Sequence, residues 1–307
     1  MKVLVAGASG AIGRALLPLL ASAGHEVVGL ARTAHAGPTA MLAVDALDRA
    51  AVAAAVREVA PDAVVNMLTA IPARLHPRRT AAEFALTNRL RTEGTHHLLD
   101  AAGAAGVRRV IAQGLAFAYA PAPGIANEDE PLWSRPPRAF APVLAALREL
   151  EAATTRAGGT VLRLGHLYGP GTAFAPDGFF SADVRARRIP LVGGGASVFS
   201  FIHVDDVATA VLAALDRDVP GLLNVVDDDP APIRDWLPEM AALLHAPRPR
   251  HVPAALVRLA AGGWGVAYLG ALRGADNARA RLALDWRPRH RSWRAGFAHE
   301  LVARVGS

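Results

Sequence analysis

Seven residues near the start of the chain restrict its fold more than any others. Gly7-Ala8-Ser9-Gly10-Ala11-Ile12-Gly13 follows the apolar run Val3-Leu4-Val5-Ala6. A helical pattern then runs from Ala11 to about Ala23 and stops at Gly24. A short apolar run closed by glycine is the pattern of a buried parallel strand. Gly7 permits a tight turn, Gly10 lets a ligand approach the backbone, and Gly13 lets helix and strand pack closely. The free N–H groups and partial positive charge at the helix start suit a pyrophosphate. Gly7, Ser9, Gly10, Ala11, Ile12 and Gly13 are therefore expected to cradle phosphates.

The alternation continues. Further strands are expected at Val27-Val28-Gly29-Leu30, Met41 to Val44, Ala63 to Asn66, Arg109 to Ala112 and Thr160 to Leu164. Asp48 caps a helix to about Val59, a long helix covers roughly Ala81 to Ala105, and another covers about Ala139 to Arg156. Strands alternating with helices at this spacing predict an α/β fold of Rossmann type, a doubly wound parallel sheet. From Tyr168 the regularity loosens, and Asp205-Asp206 are expected to cap a helix through Val207, Val211 and Leu215. The reading divides the chain into a nucleotide-binding domain, 1–167, and a smaller C-terminal substrate lobe, 168–307, with late segments returning to the sheet.

Composition narrows the classes. With 307 residues, 52% hydrophobic and 20% charged, the chain is long and apolar enough to bury a large core. It has no cysteine, which excludes disulfides and thiolate chemistry. The net charge of +6 rests on scattered arginines, Lys2 being the sole lysine, and no basic stripe interleaved with aromatics suggests nucleic acid. The apolar run Leu259 to Leu272 falls short of the roughly 20 residues of a membrane span. Glycines and Arg14 interrupt the apolar N-terminus, against a signal peptide, so a cytoplasmic protein is expected.

The second strand ends Leu30-Ala31-Arg32-Thr33, with a guanidinium where a carboxylate would hold ribose hydroxyls. Arg32, joined by Arg14, favours a 2′-phosphate and so NADP (NADPH). Asp45 is placed to bond adenine. Ala46, Leu68, Thr69 and Gln113, beside later strand ends, complete the expected cofactor contacts.

Further motifs lie on this frame: Gly94-Thr95 with Leu98-Leu99-Asp100-Ala101-Ala102, the run from Val161 to Gly171, Phe201 to Ala208, and Leu284-Asp285-Trp286-Arg287-Pro288. Together with the glycine turn they resemble the extended short-chain dehydrogenase/reductases, the NAD-dependent epimerase/dehydratase family, from Met1 to about Phe297. The resemblance implies a Ser or Thr after the fifth strand and Tyr-x-x-x-Lys in the next helix. There the tyrosine exchanges a proton with substrate and the lysine holds the nicotinamide ribose. This chain has Gly114 at the hydroxyl position, Ala141 or Val143 at the tyrosine, and Ala145 or Leu147 at the lysine. Arg91 replaces the family's helix asparagine, with Asn88 one turn earlier.

The cofactor half of the pattern is thus present and the proton relay is not. Two replacement catalytic residues are expected: Tyr119, in the loop after the fifth strand, and His166, after the sixth, which also borders the cofactor. His203 beside Asp205-Asp206 is read as a family signature rather than a metal site, so no metal is expected. Trp264, Tyr268 and Trp286 are read as packing for the small lobe. Ile71, Phe117, Phe174, Phe179 and Phe180 point to a moderately apolar small-molecule substrate. The leading expectation is an NADP-dependent oxidoreductase or epimerase-like enzyme with a non-standard proton donor. The alternatives are a non-redox isomerase, lyase or cyclase, and an NADP(H)-sensing binding protein. The resemblance also implies a homodimer through the two long helices as a family pattern.

Overall fold

The computed structural model describes residues 1–33, 37–72 and 74–302. β1 (Lys2–Ala6), α1 (Ala11–Ser22), β2 (Glu26–Ala31), β3 (Ala40–Ala43), α2 (Arg49–Val59) and β4 (Ala63–Asn66) come first. A helical stretch follows in pieces: α3 (Thr80–Glu83), α4 (Ala85–Arg89), a π-helical turn (Leu90–Gly94) and α5 (Thr95–Ala104). β5 (Arg109–Leu115), α6 (Ala141–Arg156) and β6 (Thr160–Leu164) complete the alternation. The second half is more broken: β7 (His166–Tyr168), α7 (Phe179–Arg185), β8 (Leu191–Val192), β9 (Val198–Phe199), β10 (Phe201–His203), α8 (Val204–Asp216) and β11 (Gly221–Val225). β12 (Ala231–Pro232), α9 (Ile233–Leu243), β13 (His251–Val252), α10 (Ala254–Gly270), α11 (Ala278–Ala283) and α12 (Trp293–Val302) end it.

Seven strands form one sheet in the order β11-β6-β5-β4-β1-β2-β3, and every pairing within it is parallel. The reversal of winding at β1 is the doubly wound arrangement expected, and it leaves a crevice at the C-terminal strand ends. Helices cover both faces, so the central strands are buried without alternation, β4 and β6 throughout their length. One face packs Leu16 and Leu20 of α1 with Val207 and Val211 of α8, and the other packs Val52 and Val56 of α2 with Leu98 of α5. Trp286 belongs to the first of these layers, its Nε1 donating to Thr209 Oγ1 at 2.9 Å, and not to the small lobe as the sequence suggested.

A third core fills the small lobe around Phe199, Phe201, Trp236, Trp293 and Phe297, all fully buried. β11 returns from that half of the chain to pair with β6. Glu128 Oε1 accepts the Asn224 N–H at 2.6 Å and so occupies a donor on this edge strand. Asp48 caps α2 as expected, accepting from Ala50 N and Ala51 N at 3.0 Å, an arrangement worth about 1 kcal/mol.

Two local expectations are corrected. The helix read as continuous from 81 to 105 is broken at Phe84 and widened at Leu90–Gly94. Thr87 Oγ1 accepts from Ala70 N at 3.1 Å and Thr95 Oγ1 from Asn66 Nδ2 at 3.0 Å. The wider turn lies between these anchors to the β4 end. Second, His203, not Asp205-Asp206, caps α8, its Nδ1 accepting from Asp205 N at 3.2 Å. Asp206 instead accepts from Arg289 N and His290 N at 2.7 and 3.0 Å, holding the late segment against the helix. Among the described residues, no helix is long and apolar enough to cross a membrane.

Candidate active site

The glycine turn has the geometry its spacing implies. Gly7 takes φ +88°, and a Cβ there would overlap the Met67 carbonyl; a Cβ on Gly13 would overlap the backbone of Ala8. Gly7 requires glycine on both space and dihedral grounds, and Gly13 on space alone. Gly10 is the N-cap of α1 and supplies no side-chain cap, and no acidic residue occupies the first turn. The first amides of α1 therefore lack a side-chain acceptor, at the end of a helix that favours anions. Ser9 and Gly10 are exposed, Ala11 is half-buried and Ile12 anchors the turn beneath. This cradle fits the pyrophosphate of a nicotinamide dinucleotide.

The other expected cofactor residues sit at neighbouring strand ends. Arg32 is exposed directly after β2. Arg14 Nη1 donates to Ser9 O at 2.7 Å, and its Nη2 lies against Gly171. Asp45 accepts from Leu47 N at 3.0 Å, which closes the turn into α2, while Ala46 is buried and its carbonyl bonds His97 Nδ1 at 3.0 Å. Leu68 and Thr69 follow β4, and Gln113 Nε2 reaches Leu68 O at 3.5 Å across the β4–β5 ends.

The relay positions hold no proton donor. Gly114 points toward α6, where a Cβ would stand 3.3 Å from both Arg163 Cγ and Glu151 Oε1. Its place beside them is filled by a buried ion pair: Arg163 Nε and Nη2 donate to Glu151 at 2.8 and 2.7 Å. Burial opposes the charge on Arg163, and the Glu151 carboxylate more than offsets it, holding the guanidinium above its ordinary pKa.

Tyr119 closes this network and does not face the crevice. It is 1% exposed, accepts from Arg163 Nη1 at 2.9 Å and donates to Asn224 Oδ1 at 2.7 Å. Burial pushes its hydroxyl pKa up, against the pull of Arg163.

His166 is 4% exposed and lies between the rings of Phe117 and Phe199, at centroid distances of 4.5 and 4.1 Å. Its Nδ1 contacts Ser200 O at 3.3 Å, which assigns the proton to Nδ1 and leaves Nε2 a buried acceptor without a partner among the described residues. Burial pushes the imidazole pKa down to about 3.

Two side chains gain importance that the sequence did not give them. Tyr268 stands edge-on to His166, centroids 5.6 Å apart, and near Phe117 at 6.5 Å. Its hydroxyl makes no hydrogen bond among the described residues, and burial raises its pKa. α10 delivers it by bending at Gly262, φ +72°, while Trp264 stacks on Phe140 at 4.0 Å just before α6. The second is Arg91, 4% exposed in the π-helical turn. Among the described residues it has neither ion pair nor hydrogen bond, and Nη1 is fully buried. The available signal was its position on the apolar face that includes Thr87, Thr95 and Leu98.

One described group has metal-ligand composition: His203, Asp205 and His290 offer ligand atoms within 4.8 Å of one another. His203 Nδ1 is taken by the α8 cap, and Nε2 contacts Glu300 Oε1 at 3.3 Å, so the fold already uses both nitrogens.

A parallel sheet with an anion-ready glycine turn and ligand-facing strand ends defines a nicotinamide-nucleotide-binding α/β protein. The chain matches the NAD dependent epimerase/dehydratase family over residues 3–225 and belongs to that family. A 3-diazoavenalumate denitrifying reductase from Streptomyces sp. is 48% identical over 306 residues, covering 98% of this chain and 100% of that protein. A 2-alkyl-3-oxoalkanoate reductase from Stenotrophomonas maltophilia is 25% identical over 264 residues, covering 81% of this chain and 77% of that one. Among solved structures, MoeE5 in complex with UDP-glucuronic acid and NAD has a TM-score of 0.76 at 25% identity, with both chains covered in full. Human epimerase family protein SDR39U1 with NADPH has the same fold: TM-score 0.75, 23% identity, 99% of this chain and 100% of that chain covered. The protein is an oxidoreductase of the family, with a nicotinamide cofactor.

Proposed function

We propose that this chain is an NADP-dependent reductase whose substrate accepts hydride without needing a proton at oxygen. The observation that carries the reading is that the family's relay positions hold no donor; the unspent hydroxyl of Tyr268 lies elsewhere, beside His166, and burial raises its pKa, so it keeps its proton tightly. Gly114, Ala141, Val143, Ala145 and Leu147 supply no donor, Tyr119 spends its hydroxyl inside the protein, and neutral His166 has no proton to spare near pH 7. Reduction of a carbonyl creates an alkoxide that calls for such a donor. Reductive loss of nitrogen from a diazo compound does not. An arenediazonium takes up hydride, the C–N bond breaks, both nitrogens leave as N₂, and the carbon keeps the hydrogen. The diazo substrate in the Streptomyces relative's name supports this chemistry here.

When bound, NADPH supplies the hydride. The cradle from Gly7 to Gly13 holds its pyrophosphate, with Arg32 and Arg14 on the 2′-phosphate. Asp45, Ala46, Leu68, Thr69 and Gln113 flank the rest of the cofactor. Phe117, His166 and Tyr268 form a wall suited to a planar, moderately apolar substrate. In this reading His166 is a wall residue rather than an acid, and Tyr119 supports the wall from behind.

Calorimetric titration with NADPH and NADH tests the cofactor, and Arg32→Glu is expected to reduce the preference for NADPH at least tenfold. Activity is tested with 4-carboxybenzenediazonium and 4-deuterated NADPH, after subtraction of the uncatalysed rate. One N₂ per NADPH and deuterium on the arene are expected. No deuterium on the arene from either the 4R- or the 4S-labelled cofactor, or no acceleration, overturns the reading.

A further inference from the structure

The π-helical turn holds the described protein's least compensated charge. Arg91 lies one turn from Thr87 and one turn from Thr95, the two residues that bond Ala70 and Asn66. That face of the turn therefore lies over the segment leaving β4, where Gly94 borders Leu68. On its other flank the turn packs against α6, at the helix whose inner positions are Ala and Leu. No carboxylate answers it: burial alone acts on the guanidinium and lowers its pKa, to about 10. The nearby Asn88 Oδ1 is also buried without a partner among the described residues. The buried Arg163 has a bidentate carboxylate and Arg273 bonds Glu130, so this protein pairs its other buried guanidiniums.

A cation taken out of water and given no partner is strongly unfavourable unless something else supplies the acceptor. The phosphate cradle already has its own donors in the first amides of α1. We propose that Arg91 is the binding site for an anionic oxygen of the substrate, a carboxylate, held beside the cofactor's reactive end. This rests on the reductase reading only for the choice of probe. A planar guanidinium presents parallel N–H donors that match a carboxylate, and in a buried site one such pair fixes both the distance and the tilt of the molecule attached to it. Arg91 would then select among apolar planar molecules for those ending in a carboxylate, and orient them against Phe117 and Tyr268.

The test is binding of cinnamate and its methyl ester to the NADP⁺-loaded protein, measured by calorimetry, alongside thermal midpoints. Wild type is expected to bind cinnamate at least tenfold more tightly than the ester. Arg91→Gln should erase that difference without changing NADP⁺ affinity, and Arg91→Lys should retain part of it. Arg91→Met, in the absence of any carboxylate, should unfold at the same temperature as wild type or higher, since it removes an unanswered charge. Three results overturn the proposal: cinnamate failing to bind wild type, cinnamate binding Arg91→Gln undiminished, or Arg91→Gln weakening NADP⁺ instead. The readout is binding, so it fails or succeeds separately from hydride transfer.

Discussion

Two regions of this molecule bury an arginine almost completely, and they treat it in opposite ways. Around Arg163, 3% exposed, β6 meets α6 and the loop after β5, and each of its three nitrogens donates to Glu151 or Tyr119. Around Arg91, 4% exposed, a widened helical turn meets the β4 end and no acceptor is offered among the described residues. The first arrangement is complete within the fold, and the second is incomplete without a ligand. Burial alone therefore does not tell a structural charge from a binding one; the partner list does.

Breaking the complete region should have the largest effect. Glu151→Gln leaves Arg163 charged and half-answered, at a cost of about 3–5 kcal/mol, read as a fall in thermal midpoint of roughly 10 °C. A change below about 1 kcal/mol would show that the pair is no more than a surface-like contact. The next effect is acid sensitivity at His166, whose folded pKa of about 3 lies below its ordinary value of 6.5. The unfolded chain binds the extra proton first, so the stabilising contribution is full above pH 6.5 and is lost as pH falls through the window down to 3. At pH 5 the loss is about 2 kcal/mol. His166→Phe should flatten that part of the stability profile between pH 7 and 5; an unchanged slope refutes the buried neutral ring.

Tyr119→Phe removes two bonds from the complete region and strands both Asn224 Oδ1 and Arg163 Nη1, for about 2 kcal/mol in chemical denaturation. Turnover per folded molecule should stay within about twofold, against the roughly hundredfold loss expected of a proton donor. The smallest effect is Gly114→Ser, which restores the family hydroxyl. The new Cβ meets Val161 Cγ1 at 3.1 Å and the ion pair at 3.3 Å, a crowding worth about 1 kcal/mol. No gain in turnover should accompany it, because the hydroxyl would face α6 and not the crevice.

The sheet and the glycine turn were legible because each depends on local signals: apolar runs and glycine spacing. The roles of Tyr119 and Arg91 were not. Tyr119 looked available because its partners, Arg163 and Asn224, come from strands 44 and 105 residues away in sequence. Arg91 was marked in the sequence as standing at the family's helix asparagine, but only the three-dimensional arrangement shows that nothing among the described residues answers its charge. The break in the long helix was hidden for the same reason, since Thr87 and Thr95 find their partners on β4 and the segment after it. Tyr268 read as packing, which its ring does; its unspent hydroxyl is visible only beside His166.

The last strand of the sheet has an engineering consequence. β11 is encoded after the more broken second half has begun, yet it hydrogen-bonds along β6 and has its Asn224 amide held by Glu128 from the first half. A chimera that joins this N-terminal half to another protein's lobe at residue 167 would thus leave β6 bare along one side and Tyr119 without Asn224. Grafting a foreign specificity lobe onto this scaffold must keep residues 221–225 native, so the exchangeable unit is a pair of insertions around that strand and not the C-terminal half as a block.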